Sequence, residues 1–182
     1  MYLFEHVQRA HLYHWPYPHL VIHTALDPEL AQQLTDQLDC ENPSPLWKEV
    51  IEENVNQRST ETVRYLDSVF GLSTPAFRVH EANFAALTFD HEPKLERDWH
   101  LDSSVKKYQT LYFLGNCTKG GEHEMLEENT GMKKVIPHTH NMMLAWHNNH
   151  NEPRAMHRFY TGQGQRFTFN MPVDSVDDDH EH

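Results

Sequence analysis

The sequence predicts a mainly β fold with helices in its N-terminal part, of the sandwich or barrel type to which the jelly roll belongs. From Ser73 onward, short runs with β-like character alternate with turn residues. Before Ser73, apolar residues instead recur at helical spacing. The predicted strands are Phe77–Phe89, Trp99–Asp102, Tyr108–Leu114, Lys133–Ile136, Asn141–Trp146, Ala155–Tyr160 and Arg166–Met171.

Two helices are predicted before these strands. The first follows a short apolar run, His19–Ile22, and begins after Asp27, which can cap it, with Pro28 suited to the first helical position. An apolar stripe repeats every four residues along it, formed by Leu26, Leu30, Leu34 and Leu38. The turn-forming cluster Asn42–Pro45 is predicted to end it. The second helix covers about Thr60–Phe70 and stops at the glycine that follows.

The length of 182 residues corresponds to one domain. We predict a single domain over residues 1–173, with a helical N-terminal part at 1–75 and a jelly-roll part at 76–173. Residues 174–182 contain five acidic side chains and neither Lys nor Arg, so we expect an acidic, disordered tail. The polar segment Glu122–Thr139 is interpreted as a lid loop or a solvated connection.

The charge balance limits the partners that we expect. The chain has 27 acidic and 15 basic residues, which gives a formal net charge of −12. This acidity argues against a nucleic-acid partner and against docking on an anionic membrane surface. No apolar stretch reaches the roughly 20 residues of a membrane-spanning helix, and the N-terminus does not have the pattern of a signal peptide. Because the two cysteines form no disulfide framework, we expect a cytoplasmic protein. The sequence does not indicate the oligomeric state.

Two histidines and one aspartate form a candidate metal site. His100 and Asp102 are two residues apart in a predicted strand, so their side chains should point to the same face. His157 lies in another strand-like run. Two imidazoles and one carboxylate on one face of a metal leave coordination positions open, as in non-haem Fe(II) oxygenases. A closed structural zinc site, with four protein ligands, would leave none.

An arginine near the C-terminal end is a candidate anion-binding residue. Arg166 follows His157 by nine residues and opens the last predicted strand. An inward-facing guanidinium can bind a carboxylate in bidentate fashion, and Thr168 on the same face would add a hydroxyl group. An organic acid would provide the anion that an arginine inside a barrel requires.

The order of these motifs resembles the Fe(II)- and 2-oxoglutarate-dependent dioxygenase superfamily, in its prolyl-hydroxylase-like branch. The family pattern is His-x-Asp, a strand ending in a turn, Gly-Gly-Glu, a distal His, and Arg-x-Ser/Thr. The corresponding residues here are His100-Leu101-Asp102, Thr110–Asn116, Gly120-Gly121-Glu122, His157 and Arg166-Phe167-Thr168. The resemblance covers about Tyr17–Pro172.

The resemblance implies a double-stranded β-helix, the jelly roll also found in cupins. It implies that His100, Asp102 and His157 hold Fe(II), and that Arg166, with Thr168, binds the distal carboxylate of 2-oxoglutarate. The implied activity uses O₂ to hydroxylate a protein side chain or a small metabolite, and it releases succinate and CO₂. Ascorbate is the reductant that would accompany such an enzyme.

Two other classes of function stay open at the level of sequence. His138 and His140 form a His-x-His pair of the kind used by cupins, which would suit a cupin-like metal enzyme or isomerase. The glutamate that a cupin would place soon afterwards is absent from Asn141–Trp146. The other alternative is a jelly-roll protein that binds a ligand without catalysis. Trp99, next to His100, is expected to point away from the metal, because neighbouring side chains alternate along a strand.

Overall fold

The computed structural model describes residues 2–37, 44–79, 83–89 and 92–176, and at 83–89 and 165–166 it describes the backbone alone. Three α-helices lie in the N-terminal part: α1 (Pro28–Asp36), α2 (Pro45–Ile51), which continues into a π-helical segment (Glu52–Gln57), and α3 (Ser59–Phe70). The strands are β1 (Ala10–Tyr13), β2 (His19–His23), β3 (Phe77–Val79), β4 (Asn83–Phe89), β5 (Leu95–His100), β6 (Lys106–Leu114), β7 (Cys117–Gly120), β8 (His123–Glu127), β9 (Met132–Ile136), β10 (Met142–His147), β11 (His157–Tyr160), β12 (Gly162–Asn170) and β13 (Val173–Ser175).

Helices α1 and α3 confirm the two predicted helices. The Asp27 side chain accepts hydrogen bonds from the backbone N–H groups of Glu29 and Leu30, at 3.0 and 3.2 Å, which caps α1 as predicted. Gly71 ends α3 in the left-handed conformation, with a φ of 66°. Leu38, at the end of the predicted stripe, lies outside the described residues. No helix in the described ranges has the length and apolarity needed to cross a membrane.

Helix α2 is a feature that the sequence analysis does not predict. The Ser44 hydroxyl caps this helix by accepting a hydrogen bond from the N–H of Trp47, and Pro45 occupies its first position. Serine and proline are therefore helix-starting residues here, although the cluster that contains them is predicted only to end a helix. A Ser-Pro pair fits both roles, and only the burial of the following residues distinguishes them.

The larger sheet has nine strands, and the helices cover one of its faces. Its main order is β1-β2-β10-β6-β12-β4, with β13 pairing β3 and β6, and β7 pairing β12. The Trp47 ring of α2 lies 4.9 and 5.9 Å from the rings of Phe167 and Phe169 on β12. These aromatic residues belong to a hydrophobic core between the helices and the larger sheet.

The smaller sheet has four strands in the order β5-β11-β8-β9 and faces the other side of the larger sheet. A second core lies between the two sheets, with Met125 and Ile136 from the smaller sheet and Phe113, Leu144 and Trp146 from the larger one. Two antiparallel sheets that enclose such a core form a jelly roll. The predicted fold class, mainly β with N-terminal helices, is confirmed.

Several strands differ from the prediction. The segment Glu122–Thr139 is not a loop: strands β8 and β9 pair antiparallel within it, so the prediction of a lid loop or solvated connection is wrong, whereas the strand predicted at Lys133–Ile136 is confirmed as β9. The inward positions of this hairpin include the buried His123 and Met125, whereas its outward positions mix charged residues with Leu126 and Val135. Because charged residues recur along both strands, the segment looks polar in the sequence. Strands β1, β7, β8 and β13 were also not predicted. Asp174 and Ser175, placed in the predicted tail, pair with β3.

The predicted strand Phe77–Phe89 is two strands in the structure, β3 and β4, separated by residues 80–82, which lie outside the described part. The predicted strand Trp99–Asp102 ends earlier, because β5 stops at His100 and Asp102 lies in the loop that follows. The argument that His100 and Asp102 share one face of a strand is therefore wrong. Their convergence comes instead from the turn of the chain after β5.

Candidate metal centre

The structure brings His100, Asp102 and His157 together in the interior of the jelly roll. His100 ends β5 and His157 begins β11, and the two residues are directly opposite each other in the antiparallel pair. One potential ligand atom from each of the three side chains lies within 4.8 Å of the other two. The His157 Nε2 atom is 3.5 Å from Oδ2 of Asp102. In the described part of the chain, this is the one group of three or more potential ligands that could hold a metal ion.

Both histidine rings are oriented by backbone carbonyls. The Nδ1 atom of His100 lies 2.7 Å from the carbonyl oxygen of Asp98, and Nδ1 of His157 lies 2.9 Å from that of Ala155. A carbonyl oxygen only accepts, so Nδ1 must be the protonated nitrogen that donates in each ring. The lone pair of a neutral ring is then on Nε2, the nitrogen left to coordinate a metal. Metal-binding histidines are commonly oriented in this way by a second hydrogen bond.

The Asp102 carboxylate is held in its charged form by its neighbours. Gln109 donates a hydrogen bond of 2.8 Å from Nε2 to Oδ2 of Asp102, and Nζ of Lys106 lies 3.4 Å from Oδ1. Burial raises the pKa of Asp102, but the His157 ring, the Gln109 hydrogen bond and Lys106 together lower it below its ordinary value.

The two histidines are neutral at neutral pH. Burial lowers the pKa of His157 to about 4, although Asp102 and the Ala155 carbonyl act in the opposite direction. Burial also lowers the pKa of His100. Two neutral imidazoles beside one carboxylate form the donor set that suits Fe(II) in non-haem oxygenases. The residues present therefore fit the metal that the sequence suggested.

The loop that carries Asp102 is fixed by a residue that the sequence analysis did not single out. The side-chain amide of Asn148 donates to the carbonyl oxygens of Ser103 and Lys106, at 2.9 and 3.1 Å. Its backbone N–H donates to the carbonyl of Lys107. Asn148 is buried, and it lies in a polar run, residues 147–151, whose composition is typical of an exposed turn. No sequence signal separates this asparagine from its neighbours.

A cavity of about 300 Å³ opens at the three residues. Glu96, Arg97 and Lys106 provide its charged groups apart from Asp102. The rest of its lining combines apolar with neutral polar side chains: Gln109, Leu111, His123, Trp146, Phe159, Thr168 and Asn170. The rings of His123 and Trp146 lie 5.1 and 5.0 Å from the ring of His157.

The structure places Thr168 in this cavity, whereas it gives only the backbone of Arg166. Thr168 is buried, and it lines the cavity wall on β12. Phe167 and Phe169 face the helices, so the alternating positions 166, 168 and 170 belong to the face directed at the cavity. The Arg166 side chain is outside the described part of the structure, and its role stays a prediction.

His138 and His140 lie apart from the metal centre. Nε2 of His138 is 2.8 Å from the carbonyl of Leu114, and Nδ1 of His140 accepts a hydrogen bond from the N–H of Gly115. Both rings thus bond to the backbone that follows β6. Trp99 is absent from the cavity lining, and its ring contacts the guanidinium of Arg158 at 4.4 Å. It points away from the candidate ligands, as predicted.

No family model and no curated protein matches the sequence. Solved structures with the same fold do exist. An oxidoreductase of the 2OG-Fe(II) oxygenase family from Burkholderia pseudomallei superposes with a TM-score of 0.61 at 14% identity, covering 87% of this chain and 84% of that one. A Pseudomonas putida prolyl-4-hydroxylase gives 0.60 at 13% identity, covering 88% of each chain. A viral collagen prolyl hydroxylase from Paramecium bursaria Chlorella virus-1 gives 0.55 at 10% identity, covering 87% of this chain and 90% of that one. The chain therefore has the double-stranded β-helix fold of these oxygenases.

Proposed function

We propose that the protein is an Fe(II)- and 2-oxoglutarate-dependent dioxygenase that hydroxylates a small metabolite or a protein side chain and releases succinate and CO₂. The observation that carries this proposal is the convergence of His100, Asp102 and His157 in a cavity of a double-stranded β-helix. The orientation of both rings by backbone carbonyls supports a role in metal binding, because it leaves Nε2 of each ring to the metal.

His100, Asp102 and His157 would hold Fe(II), which supplies the chemistry of O₂ activation when it is bound. Three protein ligands leave room at the ion for the co-substrate and for O₂. The surrounding residues of the chain would hold these three ligands in a fixed geometry. Gln109 and Lys106 fix the carboxylate, and Asn148 fixes the loop behind it. Ascorbate would serve as an external reductant that keeps the iron in the Fe(II) state.

The 2-oxoglutarate would bind through its distal carboxylate to Arg166 and Thr168. Thr168 lines the cavity, and position 166 shares its face of β12. Arg97 and Lys106 at the cavity would favour the approach of a dianion once Fe(II) is bound, because the ion would offset the charge of Asp102 and Glu96 offsets only one of the two basic charges. Phe159 and Leu111 provide an apolar wall that excludes water from the reacting groups.

The metal assignment is tested by adding Fe(II) and 2-oxoglutarate to the protein under anaerobic conditions. We expect a weak visible charge-transfer band, and we expect His100→Ala and Asp102→Ala to abolish it. His138→Ala is the matched control, because this histidine bonds to the backbone away from the metal centre. A band that survives in the first two variants, or that disappears in the control, would contradict the assignment and favour a site at His138 and His140.

The co-substrate assignment is tested by the conversion of 2-oxoglutarate to succinate. Arg166→Ala should raise the 2-oxoglutarate concentration required by about 10–100-fold, because it removes a charged hydrogen-bond donor to a carboxylate. Iron affinity, measured separately, should stay largely unchanged. Equal losses of iron and 2-oxoglutarate binding would indicate that Arg166 serves folding. Failure to form succinate with any substrate would favour the non-catalytic binding protein.

A further inference from the structure

Three residues that line the metal cavity each carry a buried polar atom with no hydrogen-bond partner among the described residues. These atoms are Nε1 of Trp146, Oε1 of Gln109 and Oδ1 of Asn170. The Trp146 and Gln109 side chains are only 1% and 3% exposed. A buried polar atom that lacks a partner costs about 1–3 kcal/mol, so such atoms are rare unless a ligand or solvent satisfies them. Three of them in one cavity indicate a site that binds a polar group.

The strand register places these three side chains next to one another. Trp146 on β10 is directly opposite Gln109 on β6. Asn170 on β12 is opposite Leu111, which is two residues from Gln109 on the same strand. Asn170 and Gln109 are thus diagonal neighbours on one face of the sheet, a separation that long side chains can bridge. The three side chains therefore lie on one face of the larger sheet, at the wall of the same cavity.

The hydrogen-bonding roles of the three atoms determine what the ligand must offer. An indole N–H can only donate. The orientation of the Gln109 amide is fixed, because its Nε2 donates to the Asp102 carboxylate, which only accepts. Its Oε1 is therefore an acceptor, as is Oδ1 of Asn170. The complementary group has one acceptor and two donors.

A primary carboxamide matches this set: its carbonyl oxygen accepts one hydrogen bond, and its NH₂ group donates two. A carboxylate could accept from Trp146, but it would face the oxygens of Gln109 and Asn170 without a proton to share. An ammonium or guanidinium group could donate to the two oxygens but would leave the indole N–H without an acceptor. Leu111 and Phe159 offer apolar contacts for the carbon chain that bears the amide.

We propose that Trp146, Gln109 and Asn170 form a subsite for a primary carboxamide, and that the substrate of the cavity is a carboxamide-bearing molecule. That this molecule is hydroxylated rests on the proposed function, whereas its binding does not. A free aliphatic amide and the side chain of a glutamine or asparagine in a peptide present the same chemistry to the subsite.

The test follows the indole N–H of Trp146 by two-dimensional ¹H–¹⁵N spectroscopy in the zinc-loaded, 2-oxoglutarate-bound protein, which cannot turn over. The chain has four tryptophans, and Trp146→Phe identifies the signal of interest. Titration with propionamide should move that signal downfield, as expected for a new N–H···O=C hydrogen bond. Propionate and N,N-dimethylpropionamide, which lack the two donors, should bind at least about tenfold more weakly.

Asn170→Leu should weaken propionamide binding by about three- to tenfold, because it removes one acceptor at nearly constant volume. Trp99→Phe is the matched control: the Trp99 ring contacts Arg158 away from the cavity, so the Trp146 signal should respond to propionamide as in the unmodified protein.

A capped peptide, acetyl-Ala-Gln-Ala-N-methylamide, distinguishes the two sources of the amide. Tighter binding of the peptide than of propionamide identifies a protein side chain as the substrate, and binding of propionamide alone identifies a small amide.

The proposal is overturned if neither amide moves the Trp146 signal up to its solubility limit, or if propionate or dimethylpropionamide moves it equally well. It is also overturned if Asn170→Leu leaves propionamide binding unchanged. None of these readouts requires turnover. A protein that binds propionamide but forms no charge-transfer band with Fe(II) would contradict the proposed function while leaving the subsite intact.

Discussion

The candidate ligands depend on residues that do not themselves contact a metal. His100 and His157 are each oriented by a carbonyl two residues earlier in the chain, so these contacts come with the local backbone. Asp102 lies beyond the end of β5, and the side chains that hold its carboxylate, Lys106 and Gln109, come from β6. Its position is set by Gln109 from β6 and, through its loop, by Asn148 from the segment after β10. Asp102 is therefore the ligand most sensitive to changes elsewhere in the chain.

Replacement of Asn148 by Ala should weaken the metal site without unfolding the protein. The change removes hydrogen bonds to two loop carbonyls, at Ser103 and Lys106, and so frees the loop that carries Asp102. Residues that support metal ligands typically change metal affinity by about 10–100-fold when they are replaced, and we expect a loss in this range. Competition with a chromogenic chelator for Zn(II) or Co(II) measures it.

The neighbouring Asn149→Ala is the control for this prediction. The Asn149 side chain bonds to Pro153 and Asn151 within its own loop and does not touch the loop of Asp102. Its replacement should leave metal affinity within about twofold, the range typical of surface substitutions. Equal losses in both variants would mean that the whole segment, rather than the Asn148 amide, supports Asp102.

The elements divide into those that local signals could predict and those that only tertiary contacts explain. Helices α1 and α3 have local start or stop signals, at Asp27 and Gly71, and both were predicted. The inward face of the β8–β9 hairpin contains both a polar and an apolar residue, because His123 and Met125, two residues apart on β8, are both buried. A histidine on an inward face does not produce the apolar alternation by which strands are recognised. The sequence therefore predicts β9, at Lys133–Ile136, but not β8, whose place in the sheet depends on its pairing with β11.

Helix α2 should be a main support of β12 and hence of the cavity wall. The Trp47 side chain is 1% exposed, contacts Phe167 and Phe169, and donates a hydrogen bond to the carbonyl of Leu34. Trp47→Ala should lower the free energy of unfolding by about 3–5 kcal/mol, as is typical for large aromatic residues in a core. Urea denaturation measures the change. The adjacent, exposed Lys48→Ala should change stability by less than about 0.5 kcal/mol, and a comparable loss in both variants would rule out a specific role of the Trp47 ring.

For the molecule as a whole, the order of motifs along the chain predicted more than any single motif. His100, Asp102 and His157 were predicted together from their order and spacing, and the structure brings them together through the β5–β11 pair. The strand argument that first linked His100 to Asp102 was wrong, yet the residues still converge. Gln109, Trp146, Asn148 and Asn170 could not be predicted, because their roles depend on cross-strand and loop contacts. Such contacts join residues far apart in sequence and leave no local periodic pattern.

Histidines outside the metal centre are buried, as His19 is, or half-buried, as His147 is, and this gives the whole molecule a predictable pH response. Burial lowers the pKa of His19 to about 4, and burial together with Lys107 and His150 lowers the pKa of His147 to about 4. In the unfolded chain a histidine titrates near 6.5. Between about pH 4 and pH 6.5 the unfolded state therefore binds more protons than the folded state, so stability rises with pH in this window. The stabilisation is complete above about pH 6.5 and is lost as the pH falls towards 4.

His19 provides the test, because its ring is fully buried and donates from Nδ1 to the carbonyl of Tyr17. His19→Asn keeps an amide N–H at about the position of Nδ1 but has no group that titrates in this range. Urea denaturation of the metal-free protein should show a smaller increase of unfolding free energy with pH in the variant. The difference in slope is at most about 1.4 kcal/mol per pH unit, the value for one proton. A change in packing alters the unfolding free energy of the variant by the same amount at every pH. This contribution is measured at pH 8, where residue 19 is uncharged in both the unmodified protein and the variant. Parallel pH profiles for the two proteins would mean that His19 has the same pKa in the folded and unfolded states and that its burial does not drive the acid sensitivity of the fold.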